Sequence, residues 1–100
     1  MDTQLLVAQD TLATMVAVAA SGHTPSASVS DAVFKRKTTI ALAVTRVAYL
    51  AMEVAGGGSF FRSQPLERCF RDVQGMRFHP FHERRQYQFS GRVALGMDPV

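Results

Sequence analysis

From Ile40 to Val54 the chain offers no wide polar face. Ile40, Leu42, Val44, Val47, Leu50, Met52 and Val54 are spread around the whole turn of any helix they form, and Arg46 and Glu53 are the charged interruptions. A helix that is apolar nearly all round has to be covered nearly all round. Its start is read at Ser28, with Asp31 three residues on as a capping-box variant, and its end near Ala55. The run Thr38 to Val54 is shorter than the ~20 residues needed to cross a bilayer, so the pattern predicts a core helix, not a membrane span.

Three shorter helices flank it. Over residues 3–20, Leu5, Ala8, Leu12, Met15 and Ala19 recur at steps of three and four and predict one buried face. Val7 and Val18 interrupt the opposite, polar side and predict a second contact surface. Gly22 ends this helix, and His23 to Ala27 is read as a surface connection with a solvated His23. A third helix over Pro65 to Met76 places Leu66, Cys69, Phe70, Val73 and Met76 on one face. Glu67 with Arg71, and Arg68 with Asp72, stand four apart, where they can pair along its outside. Pro80 breaks the chain and puts His79 at a corner. A fourth helix over His82 to Leu95 is polar first and apolar later, with Gly91 marking a close contact or a bend and Gly96 a stop. The expectation is one all-α domain spanning 1–100, a four-helix up-and-down bundle.

Composition sharpens this picture in two ways. Hydrophobic residues make up 47% of the 100-residue chain and charged residues 19%. That excludes the disordered class, and a chain this small buries only about two thirds of its unfolded surface, so a covering partner is expected. The net charge of +3 is too small to indicate a nucleic-acid partner. The cluster Lys35-Arg36-Lys37 is read as a solvated first turn. The single cysteine, Cys69, falls in the apolar phase of its helix and is expected as a reduced core thiol. Asp2 and Asp10 stand where a secretory leader requires cations, which favours a cytoplasmic protein.

The chemistry gathers between Gly56 and Pro80. Gly56, Gly57 and Gly58 end the long helix with backbone that something else can approach closely. A new helix then opens at Ser63, Gln64 and Pro65, among Arg62, Arg68 and Arg71, an arrangement that favours an anionic group such as a phosphate. No zinc spacing, phosphate loop or Ser-His-Asp pattern is present, and no metal site is expected.

The run Gly56-Gly57, Pro65-Leu66-Glu67-Arg68, Phe70-Arg71-Asp72 and His79-Pro80 resembles the C-terminal helical domain of acyl-CoA dehydrogenase-type flavoproteins. The likeness continues through Gly91-Arg92-Val93-Ala94-Leu95-Gly96 and is most specific from Gly56 onward. The resemblance implies FAD held between subunits, with Gly56, Gly57, Gly58 and Arg62 as cofactor contacts near the pyrophosphate of a neighbouring subunit's flavin. Arg71 and Asp72 match an arginine-aspartate pair that is read as structural. Where that family carries its catalytic glutamate in this turn, eight residues after the aspartate, the present chain has Pro80, which cannot act as a base. His79 stands beside it; in related flavin-dependent monooxygenases a histidine from this domain lies near the reactive flavin edge, so the resemblance makes His79 the catalytic candidate. Glu83 is a second candidate carboxylate.

The resemblance therefore implies an oligomerisation and flavin-contacting domain, catalytically incomplete alone. It would act as a homo-oligomer or with a complementary flavoprotein subunit, without nucleic acid or membrane. The alternative is a free-standing helical self-association module without redox activity.

Overall fold

In the computed structural model, which describes residues 1–22, 24–60 and 65–100, four α-helices form as expected: α1 (Asp2–Ala20), α2 (Ala27–Ala55), α3 (Pro65–Gln74) and α4 (Glu83–Ala94). The side chains of residues 59 and 60 lie outside that description. Short 3₁₀ turns, Gly56–Phe60 and Gly75–Arg77, come after α2 and α3. The all-α class holds, and α2 is its axis: α1, α3 and α4 all pack against it.

The start of α2 differs from the capping-box reading. Ser26, in extended backbone, is the N-cap, and its hydroxyl accepts the Val29 N–H at 3.2 Å. Asp31 is thereby free for another use. Its buried carboxylate takes an ion pair from Lys35 at 2.8 Å and a hydrogen bond from the Ser90 hydroxyl, while Gln86 donates to Ser90 at 2.7 Å. This polar cluster ties the first turns of α2 to α4. Beside it the Phe34 ring stacks on Phe81 with centroids 4.4 Å apart and meets Phe89 edge-on at 5.3 Å. The rings supply the apolar burial, and the carboxylate fixes the register.

Helix α1 packs on the middle of α2, where Ala8 joins Ile40 and Ala43 in the core, flanked by Met15, Val44 and Met76. Its inward stripe is Gln4, Ala8, Thr11, Met15 and Val18, at steps of four and three. That is rotated from the expected stripe: Leu5, Leu12 and Ala19 face outward, with Leu6 57% and Val16 61% exposed. The stripe that meets α2 carries Ala8 and Met15, and the leucines are left over. Val18 belongs to this inward stripe and Val7 is exposed, so the two do not form the expected second contact surface.

The core is correspondingly thin. Among the described residues no large side chain is fully buried, and Leu42, Tyr49 and Val54 of α2 are also exposed. The chain exposes 6872 Å², against roughly 5,600 Å² for a compact monomer of this mass. Its radius of gyration is 15.9 Å, where about 13 Å is usual for 100 residues. By length and composition α1 and residues 27–58 each meet the requirement for a membrane crossing, contrary to the length reading of Thr38 to Val54. Core helices of globular proteins meet it too, and α2 buries Asp31 and Lys37 while receiving three other helices.

Cys69 is exposed on α3, not in the core, because the inward face uses Leu66, Phe70 and Val73 and leaves position 69 at its edge. A Cβ at Gly91 would meet no atom of the described residues within 4 Å, so none of them makes a close helix contact there.

Candidate functional site

The residues singled out in the sequence fall in two places. The first is the end of α2. Gly56 adopts φ 72° and ψ −153°, a backbone region that only glycine enters without strain, and it closes the helix through its N–H to the Met52 carbonyl. Gly57 and Gly58 come next, in the 3₁₀ turn. All three are exposed, and a Cβ at any of them would meet nothing within 4 Å. Among the described residues, packing therefore gives no reason for three glycines in a row. The run presents surface backbone that carries no side chains.

The arginines near that end are partly engaged. Arg71 pairs with Glu67 at 3.4 Å and Arg68 with Asp72 at 3.6 Å, as the four-residue spacing predicts. Arg62, with Ser63 and Gln64, lies outside the described residues, as does His23.

The second place is the turn after α3. The N–H groups of Phe78 and His79 donate to the Gly75 carbonyl at 3.2 and 3.1 Å, and a cis peptide leads into Pro80. His79 is exposed at this corner. The residues on its C-terminal side are firmly held. The buried Lys37 ammonium donates to the Phe81 carbonyl at 2.9 Å, the Phe81 ring is clamped by Phe34 and Phe89, and the Arg85 guanidinium lies 5.4 Å over its face. His82 caps α4, its Nδ1 accepting the Arg84 N–H at 3.1 Å. Glu83 pairs with Arg77 at 3.4 Å, so this carboxylate has a structural partner.

Lys37 was expected in solvent. Its burial places it with Phe34 and Ala41, residues at steps of three and four that share one side of α2, and this spacing is the signal within the basic cluster that marks it as inward. Burial pulls the Lys37 ammonium below the ordinary lysine range, and the charge of Glu83 offsets only part of that.

The two places do not converge. The His79 turn is fastened to α2 at Lys37, and Gly56 lies about 28 Å further along the same helix at ~1.5 Å per residue. The glycine turn and the histidine thus occupy separate regions of one scaffold. Among the described residues no group of three or more metal-ligating side chains comes together.

Comparison with known proteins gives a match to a protein family. The family model described as the acyl-CoA dehydrogenase C-terminal domain matches residues 1–84, which covers α1 to α3, the glycine turn and the His79 corner and stops at the start of α4. The later likeness at Gly91 to Gly96 lies beyond the matched span. No curated protein and no solved structure gives a match.

Proposed function

The chain belongs to the acyl-CoA dehydrogenase C-terminal domain family, and from that premise we propose that it is the oligomer-forming, flavin-contacting helical domain of an FAD flavoprotein, catalytically incomplete alone. The family match carries the reading. Two structural observations support it. The first is area: the chain exposes roughly 1,200 Å² more than a compact monomer of its mass, more than the ~800 Å² each partner contributes to a standard interface. A cytoplasmic homo-oligomer, or a complementary flavoprotein subunit, would cover it.

The second is the open glycine turn. Exposed backbone with no side chains suits close approach of a diphosphate, so Gly56, Gly57 and Gly58, with Arg62 beyond them, would contact the flavin pyrophosphate. His79 fits a different duty, holding or moving a proton near the flavin edge. With about 28 Å between them along α2, one chain would serve two flavins, its glycines touching a neighbour's and its histidine facing its own. The flavin itself supplies the redox chemistry when bound. These residues fit the role of contributors to a site completed by another subunit.

The reading is tested by mixing purified chain with FAD and passing it over a sizing column, alone and with a complementary polypeptide that carries the other domains of an acyl-CoA dehydrogenase-type flavoprotein. We expect a colourless oligomer alone and coeluting flavin absorbance with the complement. A monomer at high dilution that ignores both would overturn it. Pro80, standing where a catalytic glutamate is otherwise found, favours the second reading of a self-association module without redox activity. That module would stay colourless with every complement while still oligomerising.

A further inference from the structure

Between α2 and α3 lies an open cleft of about 370 Å³ whose lining has no carboxylate, a volume within the ~300–1,000 Å³ of small-molecule sites. Leu42, Tyr49 and Phe70 give it an apolar lining, and Arg46 and Arg77 provide two guanidinium groups. Residues 42, 45, 46 and 49 share one side of α2 at helical spacing, so this lining is set by the register of the helix.

The two arginines are not equivalent. Arg77 is committed to Glu83 at 3.4 Å, whereas Arg46 has no carboxylate partner among the described residues and lies 5.4 Å over the Tyr49 ring. Thr45 adds a polar group without a partner. The hydroxyls of Thr14 and Thr39 bond the carbonyl four residues back, at 3.1 and 2.9 Å, but the buried Thr45 Oγ1 has no hydrogen bond. An uncommitted cation, an unmet hydroxyl and aromatic walls together define the complement: a flat apolar body bearing one negative charge.

We propose that this cleft binds a small aromatic carboxylate, its ring against Tyr49 and Phe70 and its carboxylate on Arg46. A guanidinium meets a carboxylate with two parallel N–H bonds, which gives both strength and orientation. The inference does not depend on flavin binding.

The test is titration of the isotope-labelled full chain, followed by its backbone amide resonances, with benzoate and with benzamide, its neutral counterpart of the same shape. Benzoate should give saturable shifts confined to residues 42–49 and 70–77 and bind about tenfold more tightly than benzamide, the scale of one charge-assisted contact. Arg46→Gln should erase that difference and leave benzamide binding unchanged, with the helical circular dichroism as a check on folding. Equal affinity for the two probes, shifts elsewhere, or no saturation would overturn the proposal without any variant. So would displacement of benzoate by neutral riboflavin, which would mark a flavin face, or benzoate shifts that vanish on dilution, which would mark a contact between copies.

Discussion

The Lys37 Nζ reaches from the end of the third turn of α2 to the Phe81 carbonyl, 2.9 Å away and 44 residues later in the chain. That bond fastens the stretch immediately after His79 and Pro80. A corner that presents a histidine outward keeps its direction only if both ends are held, and here the Gly75 carbonyl holds one and Lys37 the other.

Replacing Lys37 should therefore loosen the corner. Lys37→Met leaves the Phe81 carbonyl without its donor but also removes a buried charge, and a net loss of about 1 kcal/mol in urea unfolding is expected at neutral pH. Burial holds the folded ammonium below the ordinary value of 10.5, so the unfolded chain keeps this proton where the folded chain releases it. Wild-type stability should thus gain from this group as pH rises through the window between the lowered value and 10.5. In Lys37→Met that alkaline gain should vanish.

The Asp31 cluster gives the opposite limb. Burial raises this carboxyl, but hydrogen bonds from Lys35 and Ser90 and the Lys35 charge outweigh it, leaving the group below its ordinary 3.8. Its stabilisation is present above 3.8 and is lost as pH falls through the lowered folded value. Ser90→Ala removes one of the donors. We expect it to cost about 1 to 2 kcal/mol at pH 7 and to flatten the acid limb of a stability profile followed by circular dichroism.

Outward leucines on α1 make a separate prediction. Leu12 is 55% exposed and lies with Leu5 and Val16 along the side turned away from α2. Leu12→Glu should leave the stability of the isolated chain within about 0.5 kcal/mol, since no packing inside it is lost. Sedimentation velocity over a dilution series should show association weakened at least about tenfold. Unchanged association would place the interface on another face.

The elements themselves were legible from apolar spacing, caps and stop signals, because helix formation is a local matter. The glycine-closed end of α2, the corner at His79 and the paired charges of α3 all stand where residue type and spacing put them. Which way α1 turns was not legible. Leu5 and Leu12 are the obvious core residues by hydrophobicity, yet Ala8 and Met15 face α2, a choice set by a neighbour the periodicity does not contain. Lys37 and Cys69 were misplaced for the same reason: a residue at the edge of a stripe is buried or exposed according to what packs there. The separation of Gly56 from His79 was hidden as well, since 23 residues of sequence say nothing of α3 running back along α2.

The glycine turn separates fold from function most cleanly, because two neighbouring glycines answer different questions. Gly56 has φ 72° and ψ −153°, so Gly56→Ala should destabilise the chain by about 2 kcal/mol through backbone strain alone. Gly57 has no positive φ, and a Cβ there would meet nothing within 4 Å. Gly57→Val should therefore unfold at nearly the wild-type urea concentration, within about 0.5 kcal/mol. If the turn lies against a flavin pyrophosphate of a neighbouring subunit, the added isopropyl group would occupy the space that ligand needs. Flavin retention by the complemented assembly should then fall by at least about tenfold in Gly57→Val while its melting curve without flavin stays in place. Full retention in that variant would remove the glycine run from the cofactor site and leave it only the task of ending α2.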